Sequence, residues 1–141
     1  MVTGGSRGLG AHMALKLAKK GIEVIITYRS NSGAADSIVS KIEQMGQKAV
    51  AFQLDVSEIE SFDQFFLKIS GYLKAQAGSP KFDFLINNGG TGIYRPFLET
   101  SETEFDEMMN VHLKGVYFLT QKAVPLLNEG GGIINISSGL A

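Results

Sequence analysis

The sequence contains no cysteine, and that absence removes several kinds of chemistry at once. Disulfide staples, thiolate nucleophiles and cysteine-ligated metals are all excluded, and a chain without thiols suits a reducing cytoplasmic location. No stretch approaches the ~18 uninterrupted apolar residues that a membrane-spanning helix needs. Neither sign of charge dominates, with 13 Lys and Arg against 14 Asp and Glu. No positive field therefore invites nucleic acid or an anionic membrane. The only imidazoles are His12 and His112, and nothing around them has metal-site spacing. His12 reads as a surface residue of a helix. No signal-peptide pattern opens the chain, repeats and linkers are missing, and 141 residues amount to one domain, 1–141.

What is present is an alternation of short β-branched runs with helical patterns. A helix is expected from about Leu9 to Lys20, stopped by Gly21, and then a strand over Glu23–Tyr28. Asn31–Met45 reads as a second helix closed by Gly46, and Lys48–Leu54 as the next strand. Ser57-x-x-Glu60 has the form of a capping box, opening a helix with Ile59, Phe62, Phe65, Phe66 and Ile69 inward. After a strand over Phe82–Ile86, a second capping box at Ser101-x-x-Glu104 opens a long helix through Met108, Leu113, Val116, Leu119 and Val124. Gly130-Gly131-Gly132 reads as a break before a strand over Ile133–Ile136. Strands separated by helices of this length predict an α/β fold, a Rossmann-type doubly wound parallel sheet. Only Met1 and Val2 precede Thr3, against ~5–6 residues in an ordinary strand. The sheet is thus expected to be incomplete at both ends, as if cut from a longer protein.

Ligands on such sheets bind beyond the C-terminal ends of the strands, where the chemistry-bearing residues collect. Thr3-Gly4-Gly5-Ser6-Arg7-Gly8-Leu9-Gly10 is a glycine-rich turn leading straight into a helix. Bare backbone N–H groups and the positive end of the helix dipole suit a phosphate there. Gly4 allows the tight turn, Gly8 lets a pyrophosphate approach, and Gly10 lets the helix pack on the sheet. A dinucleotide fold that chooses NAD usually carries a carboxylate at the end of the second strand. Here that place reads Thr27-Tyr28-Arg29-Ser30, with no acid. Arg7 and Arg29, with no opposing carboxylate, suit the 2′-phosphate of NADP(H) instead.

Four motifs at strand ends then recur in order: the T-G-x-x-x-G-x-G turn, Asp55-Val56, Asn87-Asn88-x-Gly90 and Ile136-Ser137-Ser138. In this the chain resembles the short-chain dehydrogenase/reductase family over nearly its whole length. The resemblance implies that Asp55 and Val56 contact the adenine and that Asn88, Gly89 and Gly90 pack by the adenosine ribose. Competing local readings are a turn cap for Asp55, a left-handed turn residue for Asn88 and a polar strand end for Ser137-Ser138. Gly89 stands where the family usually has Ala. Ser138 matches the family serine that holds the substrate oxygen. The family's helix Asn is replaced by His112, directly before Leu113-Lys114-Gly115, while Asn110 lies ~200° around the helix from it.

The family's catalytic Tyr, with Lys four residues later, has no counterpart among Tyr28, Tyr72, Tyr94 and Tyr117. The resemblance therefore implies an NADP(H)-dependent oxidoreductase acting on a carbonyl/alcohol pair, 3-oxoacyl reductase-like, as the full-length protein. That protein is expected to form homo-oligomers, and the 141 residues alone are expected to be inactive. A non-catalytic NADP(H)-binding or regulatory module is the alternative. A methyltransferase on a similar sheet is disfavoured, because Asn-Asn-x-Gly and Ile-Ser-Ser have no role in it.

Overall fold

The computed structural model describes residues 1–137. The elements are α1 (Gly8–Lys19), β1 (Val24–Tyr28), α2 (Ser32–Glu43), β2 (Ala49–Gln53), α3 (Phe62–Ala77), β3 (Phe82–Asn87), α4 (Glu102–Met109), α5 (Gly115–Ala123) and β4 (Leu127–Asn135). β1 pairs with β2 and β3 with β4, both in parallel. The two ribbons are joined through the N-terminal residues, Val2 bridging Ile26 on one side and Ile86 on the other. Val2 N donates to Ile25 O (2.8 Å) and Val2 O accepts from Thr27 N (3.0 Å). On the other flank Ile86 N donates to Met1 O (2.8 Å) and Thr3 N to Ile86 O (2.9 Å). The spatial order is β2, β1, N-terminal stub, β3, β4. Counting the stub as the first strand, this is the 3-2-1-4-5 order of a Rossmann-type doubly wound sheet. The expected short first strand is thus a two-sided bridge of about one residue.

Side-chain alternation along β1 shows why helices cover both faces. Val24 and Ile26 point to one side with Val2 and Ile86, against Ala11, Ala14 and Ala18 of α1 and Ala35, Ile38 and Ile42 of α2. Ile25 points to the other side with Leu85, meeting Phe62, Phe65, Phe66 and Ile69 of α3 and Leu119 and Ala123 of α5. A period of two in the strands and of three to four in the helices produces the two layers. The inward set expected for the phenylalanine-rich helix is the set found. On the α1–α2 side, however, Phe84 and Ile134 remain exposed.

Three local expectations are corrected. Ser57 does not open α3, because its N–H and Oγ both donate to Asp55 Oδ1, at 2.9 and 2.7 Å. A single 3₁₀ turn, Ile59–Ser61, leads into α3 instead. The long helix after Ser101 is interrupted by a π-helical turn, Asn110–Lys114, in which Gly115 N donates to Asn110 O. Leu113, inside the turn, and Val124, ~140° around the helix from Leu119, are exposed, while Val111, Leu119 and Ala123 are buried. Gly130, Gly131 and Gly132 lie inside β4 rather than before it, and its pairing shifts from Phe82↔Leu127 to Phe84↔Gly132. The Ser101–Glu104 capping box forms as expected.

Leu85 is fully buried between the sheet and α3–α5, whereas Leu67 on α3 is 70% exposed. Leu85→Ala in the full-length protein is expected to cost ~2–5 kcal/mol. Leu67→Ala should stay within about 0.5 kcal/mol. Equilibrium denaturation of the two variants checks the difference.

Candidate functional site

The stub and β3 are neighbours in space but not in sequence, so the loops leaving them diverge to opposite faces. Such a topological switch point opens a crevice at the C-terminal strand ends. The glycine turn and the Asn87–Gly90 segment both leave from it. Thr3 fastens one to the other. Its Oγ1 accepts from Asn88 N (2.9 Å) and Gly89 N (2.8 Å), and the hydroxyl faces Ile86 O at 3.4 Å. The Asn88 Nδ2 donates to Thr3 O at 3.0 Å and to Gly4 O at 3.4 Å. Asn88 is therefore a brace for the glycine turn. It is not a left-handed turn residue, since every positive φ among the described residues belongs to glycine.

The glycine turn fits the demand read from the sequence. A Cβ on Gly10 would strike Gly4 O, and one on Gly5 would meet the Ile26 side chain at 2.6 Å, so the backbone lies flat on the sheet. Gly8 has φ +55°, and nothing lies within 4 Å of where its Cβ would be. Arg7 occupies the N-cap of α1 in extended conformation and offers no side-chain cap, and the first turn carries no acid. The leading N–H groups of α1 thus have no side-chain cap, with the positive helix end beside them. Ser6 and Leu9 complete the loop rim, Leu9 being exposed. This cradle fits a pyrophosphate.

Arg29 and Ser30 follow β1, and Asp55 and Val56 follow Leu54, whose N–H donates to Tyr28 O at 2.9 Å. Parallel pairing brings the two strand ends side by side. Arg29 Nε lies 2.7 Å from Asp55 Oδ2, so the expectation of an Arg29 without an opposing carboxylate is wrong. The acid comes from the adjacent strand, which the linear search along one strand could not reveal. The two Nη groups of Arg29 make no hydrogen bond among the described residues. Partial burial pushes the Asp55 carboxyl up, but hydrogen bonds from Ser57 and the Arg29 guanidinium outweigh it and hold the pKa below its ordinary value. Asp55 does cap the following turn, as the competing reading had it, through Oδ1; Oδ2 faces Arg29.

Across the crevice, a groove of about 580 Å3 opens at the ends of β3 and β4. His112, Val116 and Thr120 line it at helical spacing, with Asn87, Gly89, Asn135 and Ser137 opposite. His112 sits in the π-turn. Its Nε2 is 2.7 Å from Thr91 O. A carbonyl cannot donate, so Nε2 is the donor in that contact, and Thr91 N lies 3.5 Å from the same nitrogen. A Cβ on Gly90 would meet His112 Cε1 at 2.8 Å, so the ring rests on the Gly90 backbone. Asn87 Nδ2 donates to Thr120 Oγ1 (3.0 Å) and Asn135 Oδ1 (2.8 Å). Thr120 and Asn135 were not singled out from sequence, although the equal position of Asn87 and Asn135 on paired strands was a usable signal. Ser138 lies outside the described residues. A second cavity, around Met1, Leu17, Ile22 and Phe82 at the opposite strand ends, contains none of the motif residues.

At the rim, Arg95 Nε donates to Glu104 Oε1 (2.8 Å), and Glu104 Oε2 accepts from Ser101 N and Oγ. The Arg95 bond, then those from Ser101, bring the Glu104 carboxyl down to about 2. No group of His, Cys, Asp and Glu able to hold a metal occurs among the described residues. No helix among them is long and apolar enough to cross a membrane.

The short chain dehydrogenase profile matches residues 1–141. The chain belongs to the short chain dehydrogenase family. It is 33% identical over 141 residues to the short chain dehydrogenase/reductase AacuN of Aspergillus aculeatus, covering 100% of this chain and 51% of that one. To the hydroxynaphthalene reductase-like protein Arp2 of Metarhizium brunneum it is 31% identical, covering 98% and 49%. The landomycin C-6 ketoreductase LanV, solved with bound NADP and rabelomycin, superposes with a TM-score of 0.94. That match has 34% identity and covers 99% of this chain and 57% of LanV. A blue fluorescent protein from a metagenomic library, in complex with NADPH, superposes at 0.85 with 33% identity, covering 99% and 55%. This family member spans about half the length of the curated relatives it matches.

Thr3 is 1% exposed and saturated by its three partners. Thr3→Val keeps the shape but strands two half-buried N–H donors, at an expected cost of ~1–3 kcal/mol. A lowered denaturation midpoint with unchanged slope would bear this out.

Proposed function

We propose that the chain forms the NADP(H)-binding half of an oxidoreductase that interconverts a ketone and its alcohol, the 3-oxoacyl group being one such ketone. The observation that carries this reading is the uncapped α1 N-terminus above the glycine turn at the switch point. In this reading the N–H groups from Gly4 to Gly10 hold the pyrophosphate, and Asp55 and Val56 border the adenine. Arg29, Ser30 and Arg7 surround the 2′-phosphate, while Gly89 and Gly90, held by Thr3 and Asn88, flank the ribose. When bound, NADPH supplies the hydride.

The groove under His112 receives the reacting carbonyl. Ser138 donates a hydrogen bond to its oxygen, and His112 offers Nδ1 as an acceptor for a water that passes the proton. No Tyr among the 141 residues has a Lys four positions on, so the proton donor comes from residues beyond these. The second reading is a non-catalytic NADP(H)-binding module. The NADP-bound ketoreductase among the similar structures supports the first.

Arg29→Asp in the full-length protein is expected to weaken NADPH by ~1–3 kcal/mol and NADH far less. Equal loss for both, by fluorescence titration, would refute the assignment. Ser138→Ala should lower kcat about 100-fold or more with cofactor affinity near normal, since its hydroxyl serves the reacting oxygen. Normal turnover in that variant would remove Ser138 from the site.

A further inference from the structure

The Arg29–Asp55 pair poses a question that the cofactor assignment leaves open. Pairs with an exposed member contribute little to stability, ~0–1 kcal/mol, and the Arg29 side chain is 64% exposed. Folding is thus a poor reason for the contact. Orientation is a better one. A free Arg carries roughly 2 kcal/mol of rotamer entropy, which a ligand must offset when it fixes the side chain.

Asp55 is itself held. Its Oδ1 accepts from Ser57 N and Ser57 Oγ, so Oδ2 has a fixed position from which to grip Nε at 2.7 Å. The backbone of Arg29 is fixed as well, its carbonyl accepting from Gln53 Nε2 at 3.0 Å. The ion pair places Asp55 at the Nε side of the guanidinium, and the two Nη groups, unbonded among the described residues, form a fork on the other side. That fork matches two oxygens of a phosphate.

We propose that Asp55 is a positioning residue: it presents Arg29 to the 2′-phosphate, and preference for 2′-phosphorylated adenine nucleotides depends on it. The inference rests on the reading of Arg29 as the 2′-phosphate contact. It also predicts a sign opposite to simple electrostatics. Removing a carboxylate beside an anion site ought to tighten anion binding through lost repulsion. Removing a positioning carboxylate loosens it.

The test is the binding of two probes without nicotinamide, adenosine 2′,5′-bisphosphate and 5′-AMP, to the full-length protein by calorimetry. The quantity read is the ratio of their affinities, in which any shared adenine contact of Asp55 cancels. In the unaltered protein the bisphosphate should bind at least about tenfold more tightly, equivalent to ~1.4 kcal/mol. Asp55→Asn keeps an acceptor for Ser57 and should cut that ratio about fivefold. In an Arg29→Ala background the same change should leave the ratio unaltered, because there is no guanidinium to position. Arg29→Lys keeps the charge without the Nε grip; it should show the reduced ratio by itself, and it covers the case in which Asp55→Asn fails to fold.

An unchanged or raised ratio in Asp55→Asn would overturn the proposal, as would an equal fall with Arg29 absent. Arg29→Lys with the full ratio would do the same. A ratio near one in the unaltered protein would instead remove the NADP(H) reading beneath it. A normal starting ratio with no response to Asp55→Asn removes only the positioning role.

Discussion

Everything at the candidate site hangs from the backbone of one residue. Val2 hydrogen-bonds into the β1–β2 ribbon on one flank while its neighbours Met1 and Thr3 bond to β3 on the other. Without that double attachment there would be two two-stranded ribbons, which are marginal on their own. With it there is one sheet that changes winding direction beside the stub. The crevice, the glycine turn and the α1 N-terminus all take their places from this junction. Thr3 then turns a junction of strands into a junction of loops, because one hydroxyl serves Asn88, Gly89 and Ile86 together.

The site built there works mainly with backbone dipoles and few formal charges. The leading N–H groups of α1 need no titratable partner and reorganise little, as suits a phosphate cradle. The charged contribution is concentrated at the outer strand ends, where Arg29 and Asp55 meet. On the groove side, polarity comes from the Asn87–Thr120–Asn135 chain and from the His112 ring held at Thr91 O.

Much of this was legible in the sequence because it depends on short-range pattern. Alternation along β1, the inward phenylalanines of α3, the Ser101–Glu104 box and the glycine turn are all set by neighbours within a few residues. The failures have separate causes. Ser57 has the spacing of a helix cap, yet the Asp55 carboxylate two residues away takes the Ser57 N–H that Glu60 would accept in a capping box. Arg29 seemed unopposed because the opposing acid is 26 residues later and arrives only through strand pairing. Leu113 was expected in an unbroken helix, and the π-turn in which it lies leaves it exposed. Spacing rules describe one pattern at a time; they miss a nearer competitor, an inserted turn and a partner that arrives from another strand.

The π-turn also makes the helix a device for aiming. Each residue advances an α-helix by about 100°, so one surplus residue rotates everything after it by a similar angle relative to everything before. α4 and α5 can therefore satisfy two different packing directions while remaining one continuous rod. Composition matters less here than count. Deleting any one residue between Asn110 and Lys114 would tidy the hydrogen bonding into an ordinary helix and swing either His112 away from Gly90 or Leu119 out of the core. The irregular turn is thus the length adjustment by which a core-packing requirement and a site requirement, out of step by one residue, are both met.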